Sequence, residues 1–371
     1  MFDIKKFEKL LEYKKENENT TIAVAMSGGV DSSVTAYILK KQGYKVFGVT
    51  MITCEAGVDA DAKQVCDDLG IDHYVLDLTK SFDEKVVNYF VEEYKHGRTP
   101  NPCMVCNRHI KMGALIDFAL EKGADFIATG HYSNIENGVL KVGNDLNKDQ
   151  AYFLSQVNKE KLKYIVFPLG KIEKTDVREI GKYLGVRVYA KKDSQEICFV
   201  EDGKLKEFLI EKTNGKIAKE GNIVDTDGKV LGKHMGLAFY TIGQRKGLGI
   251  SSEKPIYVLK LDEKTNSIIM GSNEELFKEY LTAEKINLLK VSKIEELEGM
   301  ECFAKTRSRD KFHSCRISVI SDDEIKVLFT QDKVRAVTPG QGVVLYDENY
   351  EVIGSGFITV SYTHLTLPTI A

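Results

Sequence analysis

From about residue 20 onward, strand-like and helix-like runs alternate, and this alternation constrains the fold more than any other feature of the chain. TIAVAM (21–26) is continuously apolar and β-prone. DSSVTAYILKKQGY follows with helical spacing and Gly43 as its stop. KVFGVTMIT (45–53) reads as a strand, DAKQVCDDLG (61–70) as a helix and HYVLDL (73–78) as a strand. Residues 81–96 read as a helix, with Ser81 and Glu84 at capping-box spacing. HIKMGALIDFALEKG (109–123) is a further helix and DFIATGHY (125–132) a further strand. Strands joined through helices run parallel, and a parallel sheet is covered on both faces. The expected fold class is therefore α/β.

The pattern then changes. NIENGVLKVG (134–143) is a hairpin around Asn137-Gly138, and a helical stretch near 173–184 precedes KKDSQEICFV. Beyond about residue 205 come short β runs and glycine turns, and from about 282 short strands at the spacing of a small barrel. We expect an extension over 1–19, an α/β domain over 20–205, a small β-rich linker domain over 206–281 and a C-terminal β-barrel over 282–360. The tail 361–371, SYTHLTLPTIA, has no charge and is unlike the rest; we expect a cloning or sequencing artefact.

The chain of 371 residues is too long for one ordinary domain. No apolar run reaches the length of a membrane span, and the lysine- and glutamate-rich start is no secretory signal, so a cytoplasmic protein is expected. The net charge of −3 argues against bulk nucleic-acid affinity. Residues 204–260 nevertheless carry eleven Lys/Arg against six Asp/Glu, enough for a basic face or simply a solvated surface. Seven cysteines are too few for a disulfide scaffold, and their odd number leaves one unmatched.

AMSGGVDSS (25–33) sits where the first strand turns into the first helix. Gly28 and Gly29 allow a tight turn and close approach of a ligand. Ser27, Ser32 and Ser33 add hydroxyls, and the helix start adds oriented N–H groups. Together these make an anion cradle. Asp31 suits a helix cap or a Mg²⁺ ligand beside phosphates. No GK[ST] follows, so this is not the lysine-bearing P-loop, and it is not GxGxxG either.

SGGVDSS resembles the pyrophosphate loop of the N-type ATP pyrophosphatases. With GRTPNPCMVCN (97–107), ATGHY (128–132), KDQAYFL (148–154), SQEICF (194–199), TIGQRKGLG (241–249) and AVTPGQ (336–341), the chain resembles the tRNA 2-thiouridylases, or tRNA-uridine 2-sulfurtransferases (MnmA/TrmU family), over about residues 20–360. The resemblance implies an N-terminal adenine nucleotide alpha-hydrolase-like (PP-loop) domain, a tRNA-contacting central domain and a C-terminal barrel. It implies ATP-dependent adenylation of O2 of the wobble uridine of tRNA, then sulfur transfer to give 2-thiouridine, AMP and pyrophosphate. Ala25, Met26, Ser27, Gly28, Gly29, Val30, Asp31 and Ser32 would bind ATP with Mg²⁺, and Met51 and Gly130 would complete the pocket; ordinary packing also suits Met51.

Cys198 matches the family's persulfide carrier and Cys106 its nucleophilic or resolving cysteine. A cysteine desulfurase or sulfur-relay protein would supply the sulfur. Cys103 stands where many members have aspartate, so an acid/base role does not transfer. A second chemistry is open: Cys103, Cys106 and Cys198, all expected to be exposed, could hold a [4Fe–4S] cluster. Zinc fits less well, because a lone CxxC supplies two ligands; His109 and His131 would be its further candidates, and each reads better as structural or tRNA-facing. Cys66, Cys302, Cys54 and Cys315 read as buried small residues. By resemblance Asn101, Pro102 and Cys103 contact the target base, and His131, Lys148, Asp149, Gln150, Arg307, Ser308 and Gln341 contact tRNA. Two other readings use the same residues: another ATP pyrophosphatase acting on a small molecule, and a non-enzymatic Fe–S RNA-binding protein.

Overall fold

The computed structural model describes residues 4–54, 60–191 and 197–362. By packing, the chain forms two compact units: residues 1–86, 103–195 and 350–352, and residues 87–102, 196–349 and 353–371. The tail beyond residue 362 lies outside the described residues.

In the first unit the strands are β1 (Thr21–Ala25), β2 (Lys45–Ile52), β3 (His73–Asp77), β4 (Phe126–Ala128), β5 (Ser133–Glu136), β6 (Val139–Val142) and β7 (Ile165–Val166). The main sheet has the order β3-β2-β1-β4-β7 and is parallel throughout. β1 is buried along its middle, as a sheet covered on both faces requires. One face packs Ile22, Val24 and Val46 against Ala36, Leu39, Val65 and Cys66. Gly48 lies inside β2 because a Cβ there would meet the Cys66 sulfur at 2.5 Å. Burial pushes the Cys66 thiol up to about 11, which keeps it inert. β5 and β6 form the expected hairpin, with Asn137 and Gly138 at φ 52° and 78°, the left-handed pair of a type I′ turn.

Several local expectations are corrected. The helical run expected from residue 81 begins at Thr79, whose N–H donates to Asp77 Oδ1 at 2.9 Å, so Ser81 and Glu84 form no cap. The strand expected over 125–132 is confined to Phe126–Ala128. The helix expected from residue 109 begins at Pro102 and runs through a π-helical stretch, Asn107–Ala114, to Glu121. Proline pre-set at the first helical position explains the early start. The extension is part of the fold: Phe7 is buried among Val34, Ile38, Val177 and Ile180.

In the second unit, β8 (Gly221–Val224), β9 (Val230–His234), β10 (Tyr257–Asp262) and β11 (Ser267–Gly271) form a sheet of order β10-β11-β8-β9 around Ile223, Val258, Ile268 and Met270. A helix, Leu205–Lys212, precedes it where only β structure was expected. β12 (Phe277–Lys278), β13 (Tyr280–Leu288), β14 (Glu301–Lys305), β15 (His313–Ser321), β16 (Glu324–Phe329), β17 (Val334–Arg335), β18 (Gly342–Tyr346) and β19 (Val352–Tyr362) follow. Six of them close a barrel, β13-β16-β15-β14-β18-β19, and β12 pairs with β17. Inside it Cys302 and Cys315 face each other across β14 and β15, both buried, with sulfurs 3.6 Å apart.

Candidate active site

At the end of β1, Met26 N–H donates to Val49 O at 2.8 Å and Thr50 Oγ1 donates to Met26 O at 3.0 Å, so the turn leaves the sheet from a fixed point. Gly28 has φ 71°, open to glycine at no steric cost. The helix Val30–Lys41 starts at Gly29, which caps it without a side-chain bond. Ser32 Oγ accepts from Ser27 N–H at 3.2 Å and donates to Gly29 O at 3.2 Å, and Ser33 Oγ donates to Gly29 O at 2.8 Å. Ser27 is exposed at the rim. The first-turn N–H groups of a helix have no intrahelical partner, so this rim is suited to an anion.

Asp31 is not the expected cap. Its carboxylate accepts from Lys174 Nζ, 2.7 Å to each oxygen, and from the Tyr132 hydroxyl at 2.7 Å. Lys174 is buried, 7 % exposed, at the start of the helix Lys174–Tyr183, and its backbone N–H donates to Asp145 Oδ2 at 3.0 Å. No local pattern announces it, because it lies 143 residues from Asp31. Gly130 completes the same corner. A Cβ on it would lie 2.7 Å from Asp31 Cβ and 2.9 Å from Ser32 N. Met51 is half-buried one residue beyond Thr50.

His131 is buried beside this loop. It shares a 2.7 Å hydrogen bond with the Thr129 hydroxyl and meets the Phe167 ring edge-on. Burial, helped by Lys111, pulls its pKa from 6.5 to about 3, so it is neutral at pH 7. The unfolded chain therefore takes up a proton near pH 6.5 that the folded chain refuses until about pH 3. Stability is expected to fall as pH falls through that window, by up to about 1.4 kcal/mol per pH unit from this residue. Urea unfolding of the parent and His131→Gln at pH 7 and pH 5 checks this; equal losses in the two proteins would refute it.

Cys103 and Cys106 lie three positions apart on one helical turn. Cys103 is exposed at its surface, yet the protein packed around the sulfur raises its pKa above the ordinary value against the pull of Lys111. It is a thiol, not a thiolate, near neutrality. Cys106 is buried, which corrects its expected exposure. The next two residues tie this helix down: Asn107 Nδ2 donates to Phe153 O at 2.9 Å, and Arg108 Nη1 to Gln156 O at 3.1 Å. Just before that segment, Gln150 exchanges bonds with the Tyr132 backbone, 2.9 Å to its side chain and 2.8 Å from its N–H, and Asp149 Oδ1 accepts from Gly143 N–H at 2.9 Å. Lys148 is half-buried beside them. The expected tRNA stretch is thus joined to both the loop corner and the cysteine helix.

In the second unit Cys198 is exposed, and its neighbour Phe199 is anchored among Phe90 and Phe208 at 5.2 and 5.7 Å. Ser194, Gln195 and Glu196 of its motif lie outside the described residues. Asn101 and Pro102 are buried. Gln341 Nε2 donates to Thr99 O at 2.9 Å and Pro100 O at 3.2 Å, and Arg98 grips Glu93 through two bonds of 2.6 and 2.7 Å. Arg307 is exposed, donates to Ala336 O and Thr338 Oγ1, and opens on a cavity of about 560 Å³ with Lys311, Lys333 and Arg335; Ser308 is half-buried next to it.

Three family models match in order: tRNA methyl transferase HUP domain over residues 20–202, tRNA methyl transferase PRC-barrel domain over 206–272, and aminomethyltransferase beta-barrel domain over 278–358. The tRNA-specific 2-thiouridylase MnmA 1 of Fusobacterium nucleatum subsp. nucleatum is 61% identical over 352 residues, 95% of this chain and 97% of that protein. This chain belongs to the tRNA-specific 2-thiouridylase family. The 2-thiouridylase of Halothermothrix orenii is 45% identical over 360 residues, 92% of this chain and 99% of that one. A solved structure, the U34-tRNA thiolase NcsA from Methanococcus maripaludis with its [4Fe-4S] cluster, matches with a TM-score of 0.38 and 20% identity, covering 57% of this chain and 72% of that chain, too slight a likeness to carry an argument.

For a 2-thiouridylase, the loop residues 25–32 and Gly130 stand at one corner of the first unit, with Met51 on the neighbouring strand. Cys103 and Cys106 share the first unit, and Cys198 belongs to the second. Among the described residues no group of three or more His, Cys, Asp or Glu side chains could hold a metal ion. Sequence reading missed Lys174 and Tyr132, and it missed Asn107 and Arg108 as the braces of the cysteine helix.

Proposed function

We propose that this chain is an ATP-dependent tRNA-uridine 2-sulfurtransferase acting on the wobble uridine. The observation that carries the reading is the intact SGGVDSS turn, opening a helix at the end of a parallel sheet in a member of the 2-thiouridylase family. ATP binds at residues 25–32 with Met51 and Gly130. The loop amides hold the phosphates, and Asp31 would share with them the Mg²⁺ that neutralises their charge. Uridine O2 attacks the α-phosphorus and pyrophosphate leaves. AMP on O2 then makes a poor leaving group into a good one.

Sulfur arrives as a persulfide on Cys198, loaded by a cysteine desulfurase or relay protein. The Cys106 thiolate attacks the inner sulfur and a Cys106–Cys198 disulfide forms. The released hydrosulfide attacks C2, AMP departs with the oxygen, and a thiol reductant resets the disulfide. Asn101, Pro102 and Cys103 meet the extruded base, and Cys103, a protonated thiol, serves as a hydrogen-bond donor there. Lys148, Asp149, Gln150, Arg307, Ser308 and Gln341 position the tRNA, and neutral His131 lines the base's entry. A reducing cytoplasm suits both the substrate and the thiols.

The test is direct. Purified protein, unmodified tRNA, ATP, Mg²⁺ and a persulfide-loaded cysteine desulfurase are incubated together. One AMP and one pyrophosphate are expected for each 2-thiouridine found by mass spectrometry. Absence of thiolated uridine, with or without anaerobic cluster reconstitution, overturns the reading.

A further inference from the structure

Two thiols of the barrel have no part in the chemistry above. Cys302 and Cys315 are paired directly across β14 and β15, and their sulfurs stand 3.6 Å apart as free thiols. We propose that they are a dithiol modification site, which a hydroperoxide converts to a cross-strand disulfide that weakens the barrel's hold on tRNA. The effect on tRNA rests on reading Arg307 as a tRNA contact.

The geometry suits the bond. Directly opposed residues of an antiparallel pair have Cα atoms about 4.5–5.5 Å apart, within the span of a disulfide. Closing the sulfurs to about 2.0 Å takes side-chain rotation and a small approach of the two strands. A cavity of about 540 Å³ reaches both residues, and Lys290, Ser314 and Gln331 line it too, polar groups that admit water and a small polar oxidant. Cys302 is the more open of the two, 8 % exposed against 1 %. Cys315 donates to Cys302 O at 3.5 Å, and its hydrogen bond with the Cys302 sulfur, together with burial, raises its pKa and keeps it a thiol.

Cys302 therefore reacts first. Its thiolate attacks one peroxide oxygen, the O–O bond breaks, and hydroxide leaves with the electron pair, so that Cys302 becomes a sulfenic acid. The Cys315 sulfur then attacks the Cys302 sulfur. The S–O bond breaks, and the Cys315 proton leaves with that oxygen as water. The thiol pair loses two electrons and the peroxide ends as two waters. A dithiol reductant restores the thiols by exchange.

The two strands flank the connection 306–312, which carries Arg307 and Ser308. Asp310 ties the ends of this connection together, accepting from the Thr306 hydroxyl at 2.8 Å and sharing a 3.1 Å bond with His313 Nε2. A shift of β14 against β15 is thus passed to Arg307, whose guanidinium is set by Ala336 O and Thr338 Oγ1.

Full-length parent, Cys302→Ala and Cys315→Ala are treated with hydrogen peroxide, free thiols are alkylated, and peptides are mapped by mass spectrometry. A Cys302–Cys315 cross-linked peptide is expected in the parent, and it should vanish on reduction with dithiothreitol. Fluorescence anisotropy then reads tRNA binding. Affinity of the parent is expected to fall about three- to tenfold on oxidation, as for one weakened charged hydrogen bond. Both alanine variants should change less than about twofold on oxidation, because they keep Cys106 and Cys198 but cannot form this bond. No cross-linked peptide, equal affinities for reduced and oxidised parent, or an equal loss in the alanine variants overturns the proposal. If the reduced parent binds no tRNA, the functional reading fails, while the peptide map still decides the disulfide. Should the alanine variants not fold, Cys302→Ser, which keeps the size of the side chain, takes their place with the same outcomes.

Discussion

Gly130→Ala is expected to lose at least about a hundredfold in kcat/KM for ATP, with a stability loss of about 1–3 kcal/mol. The added methyl would stand 2.7 Å from Asp31 Cβ, 2.8 Å from Asp31 C and 2.9 Å from Ser32 N. Two of these atoms are backbone in the first turn of the nucleotide helix. They cannot rotate aside, so the turn itself must move, and the amides aimed at the phosphates move with it. Gly29→Ala is the matched contrast. Its nearest neighbour would be Ser27 Oγ at 3.5 Å, an ordinary contact, so it should unfold like the parent. ATP-dependent AMP formation and denaturant unfolding of the three proteins decide the matter. A Gly130→Ala enzyme within threefold of the parent would remove the close approach from the account.

Cys198→Ser should lower thiolation by at least about a thousandfold, because a hydroxyl cannot carry persulfide sulfur. Pyrophosphate release on the first turnover with tRNA should survive, since adenylation uses the loop and not this thiol. Cys106→Ser should block turnover as well, but with the persulfide still loaded on Cys198 and detectable by thiol-specific labelling. Cys103→Ser should stay within about tenfold, as expected when a hydroxyl replaces a protonated thiol as donor. Full activity in Cys198→Ser would end the persulfide mechanism. A Cys103→Ser loss as deep as those of Cys106→Ser and Cys198→Ser would instead point to a site that uses all three thiolates.

The parallel sheet and its loop were legible because their signals are local. Alternating periodicities and a glycine-serine turn are written within about thirty residues of one another. The C-terminal barrel was legible from strand spacing. The start of the cysteine helix was not, since Cys103 to Asn107 carry no amphipathic repeat and a proline such as Pro102 suits a turn as well as a first helical position. Burial of Cys106 was equally hidden: the next two side chains bond across to Phe153 and Gln156, and no spacing rule encodes that. Asp31 read as a cap because its position allowed it. Its true partners, Tyr132 and Lys174, come from 101 and 143 residues away. Cys198 was found through its motif rather than through physics, because an exposed thiol next to a phenylalanine has no distinguishing pattern of its own.

Gln341 binds the carbonyls of Thr99 and Pro100, and Thr99 N–H donates to Pro339 O at 2.9 Å. Gly340 is glycine at φ 89° partly because a side chain there would meet Thr99 O at 2.9 Å. The backbone that enters the cysteine helix is thus fastened by residues more than 200 positions later in the chain. This makes the protein poorly modular. A gene trimmed to its nucleotide-binding portion would retain both thiols of NPCMVCN but not the clasp on the segment leading into them, and grafting a foreign RNA-binding module in place of the barrel would have to rebuild that clasp residue by residue.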